Sequence, residues 1–252
     1  MVAPQRIVIS VRGVRKRFGR VQAVEDFSLE VPAGEILGLV GPNGSGKTTA
    51  LRCLCGILKM DAGSSSIEGS DINRAAVAAR RVLAYVPEVP TPFAFLTPME
   101  HMLFTARAYE LDGGWQERAA SLLQELGLAE KQNTLSVDLS KGQRQKIHLA
   151  MAMLRAPNAL VLDEPLIGID PKGAHILKRW IRERKTAGAA GIVSTHVLPL
   201  VSEVCDRVAI MSHGRLVATG TFEEIARTAD LDAGATFEEV FLSLTENQGG
   251  RP

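Results

Sequence analysis

The chain has 252 residues with 29 Lys and Arg against 28 Asp and Glu, a formal net charge of +1, which argues against a polyanion binder held by bulk charge. Its 46% hydrophobic and 23% charged residues form an ordinary globular composition, which excludes wholesale disorder and suits one large α/β domain or two small ones. The longest apolar runs, at 149–154 and 187–193, are six or seven residues, far short of the roughly 20 needed to cross a bilayer. The apolar stretch 7–11 between Arg6 and Arg12 is shorter than the ~7–15 residues of a secretory h-region, so the chain is expected in the cytosol.

Alternation over 6–12, and again at Phe27, Leu29 and Val31, predicts a half-buried antiparallel layer, with Pro32, Ala33 and Gly34 as the turn out of it. The nearly continuous apolar run 35–40 suits a strand covered on both faces. Helical periodicity follows at 49–58, 98–111, 115–126, 142–155, 171–186 and 222–228, and strands are expected at 82–86, 159–162, 191–195, 207–211 and 215–218. Strands alternating with helices predict an α/β core with a mostly parallel sheet. Between 98 and 132 the pattern is almost purely helical, which predicts a helical subdomain inserted into that sheet.

Cys53 and Cys55 sit two apart on a helix and point to different faces, and Cys205 stands alone, so the three cysteines make neither a disulfide framework nor a zinc site. Residues 12–20 hold five basic side chains in nine, a solvated strand edge and turn when taken alone. The segment 222–248 holds seven acidic residues and one basic residue, Arg227, and reads as an acidic amphipathic element. In the helix 171–186, Ile176, Leu177, Trp180 and Ile181 share one stripe and are expected in the core.

The first chemistry lies at Gly41, Pro42, Asn43, Gly44, Ser45, Gly46, Lys47 and Thr48, which match the phosphate-binding pattern G-x-x-x-x-G-K-[ST] in full. A buried strand precedes the pattern and a helix beginning at Lys47 to Thr49 follows it, so backbone N–H groups and a helix N-terminus converge on one anion. The glycines allow positive φ, Lys47 supplies a point charge to the terminal phosphates, and the Thr48 hydroxyl is a Mg²⁺ ligand. The strand 159–162 then ends in Asp163 and Glu164. That arrangement delivers Asp163 to the Mg²⁺ shell and leaves Glu164 to polarise water for attack on the γ-phosphate. The chain lacks the N-K-x-D that reads guanine, so ATP hydrolysis is the better reading of these residues.

Leu139-Ser140-Lys141-Gly142-Gln143 lies 20 residues before that strand, and Ser140 is placed to cap a helix beginning near Gly142. At this spacing it resembles the L-S-G-G-Q signature of the ATP-binding cassette (ABC) family. Phosphate loop, signature and carboxylate strand occur in that family's order over 41–165, and the resemblance extends over roughly 7–244. It implies a P-loop NTPase core with a mostly parallel sheet, an N-terminal antiparallel β layer and an inserted helical subdomain. The expected division is a single domain over 6–244, with core and β layer at about 6–95 and 156–220, the subdomain at about 96–155, and an acidic element and tail at 221–252.

The resemblance further implies that Phe18 stacks on adenine, that Gly168-Ile169-Asp170-Pro171 is the D-loop, and that His196 is the switch histidine holding the γ-phosphate. It implies ATP and Mg²⁺ as ligands, shared between the phosphate loop of one subunit and Ser140, Gly142 and Gln143 of a second nucleotide-binding subunit, either a homodimer copy or a related chain. Two residues depart from the family pattern. Glu88 stands where most members have a magnesium-sensing Gln, keeping an oxygen ligand and adding charge, and Lys141 replaces the first signature glycine.

Those departures, with Gly-Ile-Asp-Pro and the ending Phe237-Glu238-Glu239-Val240-Phe241, resemble the exporter branch for drugs and natural products, whose permeases are separate six-helix proteins. The chain is thus expected to be an ATPase on the cytoplasmic face of the membrane, bound to a permease. The proline-stiffened apolar segment 89–98 is a candidate wall for that contact, with Phe93, Phe95 and Tyr109 receiving a permease helix, or else packing the subdomain against the core. The alternative is a soluble ABC ATPase acting on nucleic acid or the translation machinery, and the near-neutral charge weighs against it.

Overall fold

A computed structural model describes residues 5–196 and 198–228, together with Glu239 and Ser243. The expected acidic tail, with the ending at 237–241, otherwise lies outside the described residues. In chain order the elements are β1 (Ile7–Phe18), β2 (Val21–Pro32), β3 (Ile36–Val40), α1 (Lys47–Leu54), β4 (Ala62–Ile67), β5 (Ser70–Asp71), α2 (Ala76–Val82) and β6 (Leu83–Val86). There follow α3 (Pro98–Ala108), α4 (Trp115–Glu125), α5 (Lys141–Arg155), β7 (Ala159–Asp163), α6 (Pro171–Thr186), β8 (Ala190–Ser194), α7 (Leu198–Val204), β9 (Arg207–Ser212), β10 (Arg215–Gly220) and α8 (Phe222–Thr228).

Two sheets organise these elements. An antiparallel sheet runs β2-β1-β4-β5, and a six-stranded sheet runs β10-β9-β3-β8-β7-β6, parallel throughout except for the edge strand β10. The central strands are buried along their whole length, and their residues alternate between two apolar layers. Leu37, Leu39, Ala159 and Val161 face a core shared with the antiparallel sheet and α1, where Phe27, Leu51 and Ile67 sit. Ile36, Leu160 and Leu162 face a second core with Met102 of α3, Leu123 of α4, Ile147 of α5 and Leu177 of α6. Coverage of both faces is why these strands read as apolar runs rather than as alternation.

The expected stripe on α6 is buried at Ile176, Leu177, Trp180 and Ile181. Between β6 and β7 the described elements are helical. Among the described residues no helix is long and apolar enough to cross a membrane.

Several boundaries differ from expectation. The helix expected over 49–58 is α1, ending at Leu54, because Gly56 turns left-handed (φ 66°) and the N–H groups of Ile57 and Leu58 fold back on the Arg52 carbonyl at 2.9 and 3.1 Å. Val82, expected to open a strand, closes α2 instead. The sequence expectation also omits β4, β5, α2 and α7. β4 carries three consecutive serines and shows no alternation to read.

Candidate functional site

β3 delivers the chain to residues 41–46, and α1 starts directly at Lys47 with the left-handed Gly46 (φ 101°) as its N-cap. The loop is pressed against neighbouring backbone. A Cβ added at Gly46 would lie 2.2 Å from the Ala23 carbonyl oxygen, and one at Gly41 would lie 2.2 Å from that of Met211. Glycine is therefore required at both positions by space as well as by pattern.

Lys47 is buried, and its Nζ donates to the carbonyls of Gly41 (2.7 Å) and Pro42 (3.1 Å). Burial lowers its pKa, opposed by the negative charges of Glu164, Asp163 and Glu88 around it. The Ser45 hydroxyl is buried in the same loop with no protein hydrogen-bond partner. An orphaned donor beside a buried cation and a helix N-terminus is the polar environment that an anionic oxygen satisfies.

Asp163, at the end of β7, is fully buried. Its Oδ1 accepts from Thr48 Oγ1 at 3.2 Å and from Ser194 Oγ at 2.6 Å, and its Oδ2 accepts from the Tyr85 hydroxyl at 3.3 Å. Glu164 follows in the left-handed region (φ 47°), a conformation that non-glycine residues seldom adopt and that clusters at functional sites. Its Oε1 lies 2.9 Å from Nδ1 of the half-exposed His196.

Ser45, Lys47, Thr48, Glu164 and His196 open on one cleft of about 640 Å³, with Asp163 buried behind it. Its lining runs from Asn43 to Thr49 and includes Glu88, Glu164, Ile167 and His196, together with Gln22 and His213. A glycine-rich loop and a buried lysine, with carboxylates and an imidazole on the same cleft, suit a triphosphate and an attacking water. Thr48, Asp163 and Glu88 offer oxygen donors only, and the described residues contain no cluster of three or more carboxylate, imidazole or thiol groups able to cage a metal. Magnesium held by one or two carboxylates plus substrate phosphates needs no such cage, so this donor set fits it.

The other expected site residues lie elsewhere. Ser140 caps α5 by accepting from the Gln143 N–H (3.2 Å), while Gln143 Oε1 accepts from the Ser140 N–H (3.0 Å), a reciprocal capping box. Ser140, Gly142 and Gln143 are not part of the cleft lining. Gly142 is in close contact with the loop before α6, since a Cβ there would lie 2.2 Å from the Gly168 carbonyl oxygen. Phe18 also lies off the lining, at the end of β1 opposite Val21, half-exposed with Lys16 Nζ 5.4 Å from its ring centroid.

A second groove, of about 450 Å³, lies between α2, α3 and α5 and is lined by Ile57, Tyr85, Phe104, Tyr109, Met151 and Arg155 among others. The Arg155 guanidinium sits 3.4 Å from the Tyr109 ring centroid. Phe93 packs edge-on against Phe104 at 5.4 Å beside the groove, and Phe95 projects with 80% of its surface exposed. Of the aromatics expected at a partner contact, Tyr109 therefore lines the groove, Phe93 flanks it, and Phe95 stands free of the core.

Sequence reasoning did not find roles for Tyr85, Ser194, Gln22 or His213. Tyr85 and Ser194 acquire theirs only from strand order, because β6 and β8 flank β7. Gln22 and His213 carry no signal beyond their place in turns and strand ends.

The family model described as "ABC transporter" matches residues 24–167. The chain is 37% identical over 214 residues to the SkfA peptide export ATP-binding protein SkfE of Bacillus subtilis (strain 168), covering 83% of this chain and 87% of that one. It is 34% identical over 213 residues to the Nod factor export ATP-binding protein I of Burkholderia lata, covering 84% and 70% of the two chains. A solved structure described as the ATP binding subunit of an ABC transporter superposes with a TM-score of 0.88 at 32% identity, covering 94% of this chain and 99% of that one.

Proposed function

The chain belongs to the ABC transporter family as an ATP-binding subunit with ATPase chemistry, and on that premise we propose that it drives export through a separate membrane permease. The observation that carries the hydrolytic reading is the gathering of Lys47, Thr48, Glu164 and His196 on one cleft, with Asp163 buried behind them. Lys47 and the loop from Gly41 to Thr49 bind the phosphates, and Thr48, Asp163 and Glu88 would hold Mg²⁺, which would supply neutralising charge to the phosphates. Glu164 takes a proton from water as its oxygen attacks the γ-phosphorus and the bond to ADP breaks. His196, held against Glu164, contacts the γ-phosphate.

Ser140, Gly142 and Gln143 serve the site of a second copy. Their position off this chain's own cleft, at an exposed and well-capped helix start, supports that division of labour. ATP then joins two polar surfaces and hydrolysis releases them, a two-state switch that the ligand biases. Export is supported by the names of the relatives, which also leave the nucleic-acid alternative without support. The chain docks peripherally on the cytoplasmic face, with Tyr109, Phe93 and Phe95 bordering the permease contact.

The test is steady-state ATPase activity with Mg²⁺. Glu164→Gln is expected to lower turnover by about 10²–10⁴, the usual range for loss of a general base, while sparing ATP binding. Near-normal turnover in that variant would sink the assignment. For the docking face, alanine at Phe93 and Phe95 together should abolish co-purification with the permease, and an intact complex would overturn it.

A further inference from the structure

β8 lies beside β7 with Ser194 directly opposite Asp163 in the parallel register. The Ser194 side chain is fully buried. Its hydroxyl donates to Asp163 Oδ1 at 2.6 Å and accepts the backbone N–H of Glu164 at 3.0 Å. That same N–H reaches the Ser194 carbonyl at 3.1 Å, so Glu164 is tethered twice to one residue. A hydroxyl has one proton to give and lone pairs to receive with. With the proton committed to Asp163 and a lone pair to Glu164, its orientation is determined.

The two tethered residues have different tasks. Asp163 must present an oxygen towards the metal site, and Glu164 must hold a left-handed backbone so that its carboxylate meets His196 at the cleft. Tyr85, from the strand on the other side of β7, occupies the second oxygen of Asp163. Of these two hydroxyls, only that of Ser194 touches both Asp163 and Glu164. His196 leaves the same strand end two residues later.

We propose that Ser194 is a positioning residue for hydrolysis, a single buried hydroxyl that sets the metal-facing carboxylate of Asp163 and the backbone of the general base Glu164 at once. It is buried, is not part of the cleft lining, and acts through those two residues. The inference rests on the reading of Glu164 as the base, so Glu164→Gln is measured in parallel.

The experiment compares the full chain with Ser194→Ala, Ser194→Thr and Glu164→Gln. It measures kcat and KM for ATP, and ATP binding by equilibrium dialysis in EDTA and in Mg²⁺. Ser194→Ala is expected to lose about ten- to hundredfold in kcat, the scale of a misplaced reacting group. Its ATP affinity in EDTA should stay within about threefold of the parent, while the tightening of ATP binding on adding Mg²⁺ shrinks, as expected when a metal ligand loses its orientation. Ser194→Thr, which keeps the hydroxyl, should recover most of the kcat.

Should Ser194→Ala fail to fold, Ser194→Cys keeps the volume with a poor donor and takes its place. The inference is overturned if Ser194→Ala turns over normally while Glu164→Gln is inactive, if the whole loss falls in KM, if the Mg²⁺-dependent tightening is unchanged, or if Ser194→Thr fails to rescue a folded protein. Normal turnover in Glu164→Gln would instead bring down the base reading itself.

Discussion

Lys146 Nζ on α5 lies 2.6 Å from Asp170 Oδ2, the N-cap residue of α6. The lysine is nearly buried, its side chain 11% exposed, while Asp170 is half-exposed, so the pair is only partly shielded from solvent screening. Together with the backbone contact of Gly142 on Gly168, it ties the start of α5 to the loop 168–170. A displacement of either would be transmitted to the other.

Asp170 has two duties that substitution separates. Its Oδ1 accepts from the Gly173 N–H at 2.7 Å as the helix cap, while Oδ2 holds Lys146. Asp170→Asn should keep the cap and weaken the pair, and Asp170→Ala should lose both. The alanine variant is expected to be the less stable of the two by about 1 kcal/mol, the usual cost of a lost cap. Urea unfolding midpoints of the two variants would check this, and equal midpoints would refute the capping assignment.

Gly142→Ala addresses the backbone contact. The added Cβ would collide with a carbonyl rather than a flexible side chain, so either the first turn of α5 or the loop 168–170 must shift. Hydrolysis is expected to fall by about tenfold or more, because the signature and the loop lose their register. ATP binding to the isolated chain should be nearly unchanged, since Gly142 is not part of the cleft lining. Equal losses in binding and turnover would contradict this.

Stability should fall on mild acidification. His148 Nε2 accepts the Thr91 N–H at 3.2 Å, and His101 Nε2 accepts the Phe93 N–H at 2.9 Å while its Nδ1 faces the Thr97 carbonyl at 2.8 Å. Both rings are thus used as neutral acceptors that pin the segment 89–98. Burial pushes the His148 pKa down to about 4, with His101 adding a smaller effect, and burial also lowers that of His101. A depressed folded pKa means that the unfolded chain binds the proton first. The contribution is present above about 6.5 and is lost as pH falls towards about 4. Fully realised at His148, the gap corresponds to about 3 kcal/mol, reduced by partial solvent access to the ring. Melting temperatures at pH 7 and pH 5 would check it, with His148→Gln expected to show a smaller drop.

Most of the nucleotide cleft is legible in the sequence because its parts are local. A phosphate loop needs its glycines and lysine within eight consecutive positions, and Asp163 and Glu164 are adjacent at the end of one apolar strand. The apolar strands are legible for the same reason, since burial on both faces leaves a continuous run. The role of Ser194 is not, because it depends on β8 lying beside β7, a neighbour relation made between residues 31 positions apart in sequence. The serine-rich β4 escapes notice because its burial is set by pairing with β1 and not by its own composition. The signature residues read clearly as a motif, yet they lie off the cleft of the single chain, which suits a site assembled between molecules, while Phe18 lies just outside the lining, paired with Val21, which is part of it.

With Glu164 as the base proposed above, its left-handed backbone sets activity against stability within one residue. A glycine there would adopt the same φ without the Cβ penalty and would be expected to raise the melting temperature while removing the carboxylate that faces His196. A search for thermostable variants would therefore tend to select inactive chains at this turn, and stabilising substitutions for this protein are better sought away from β7 and β8.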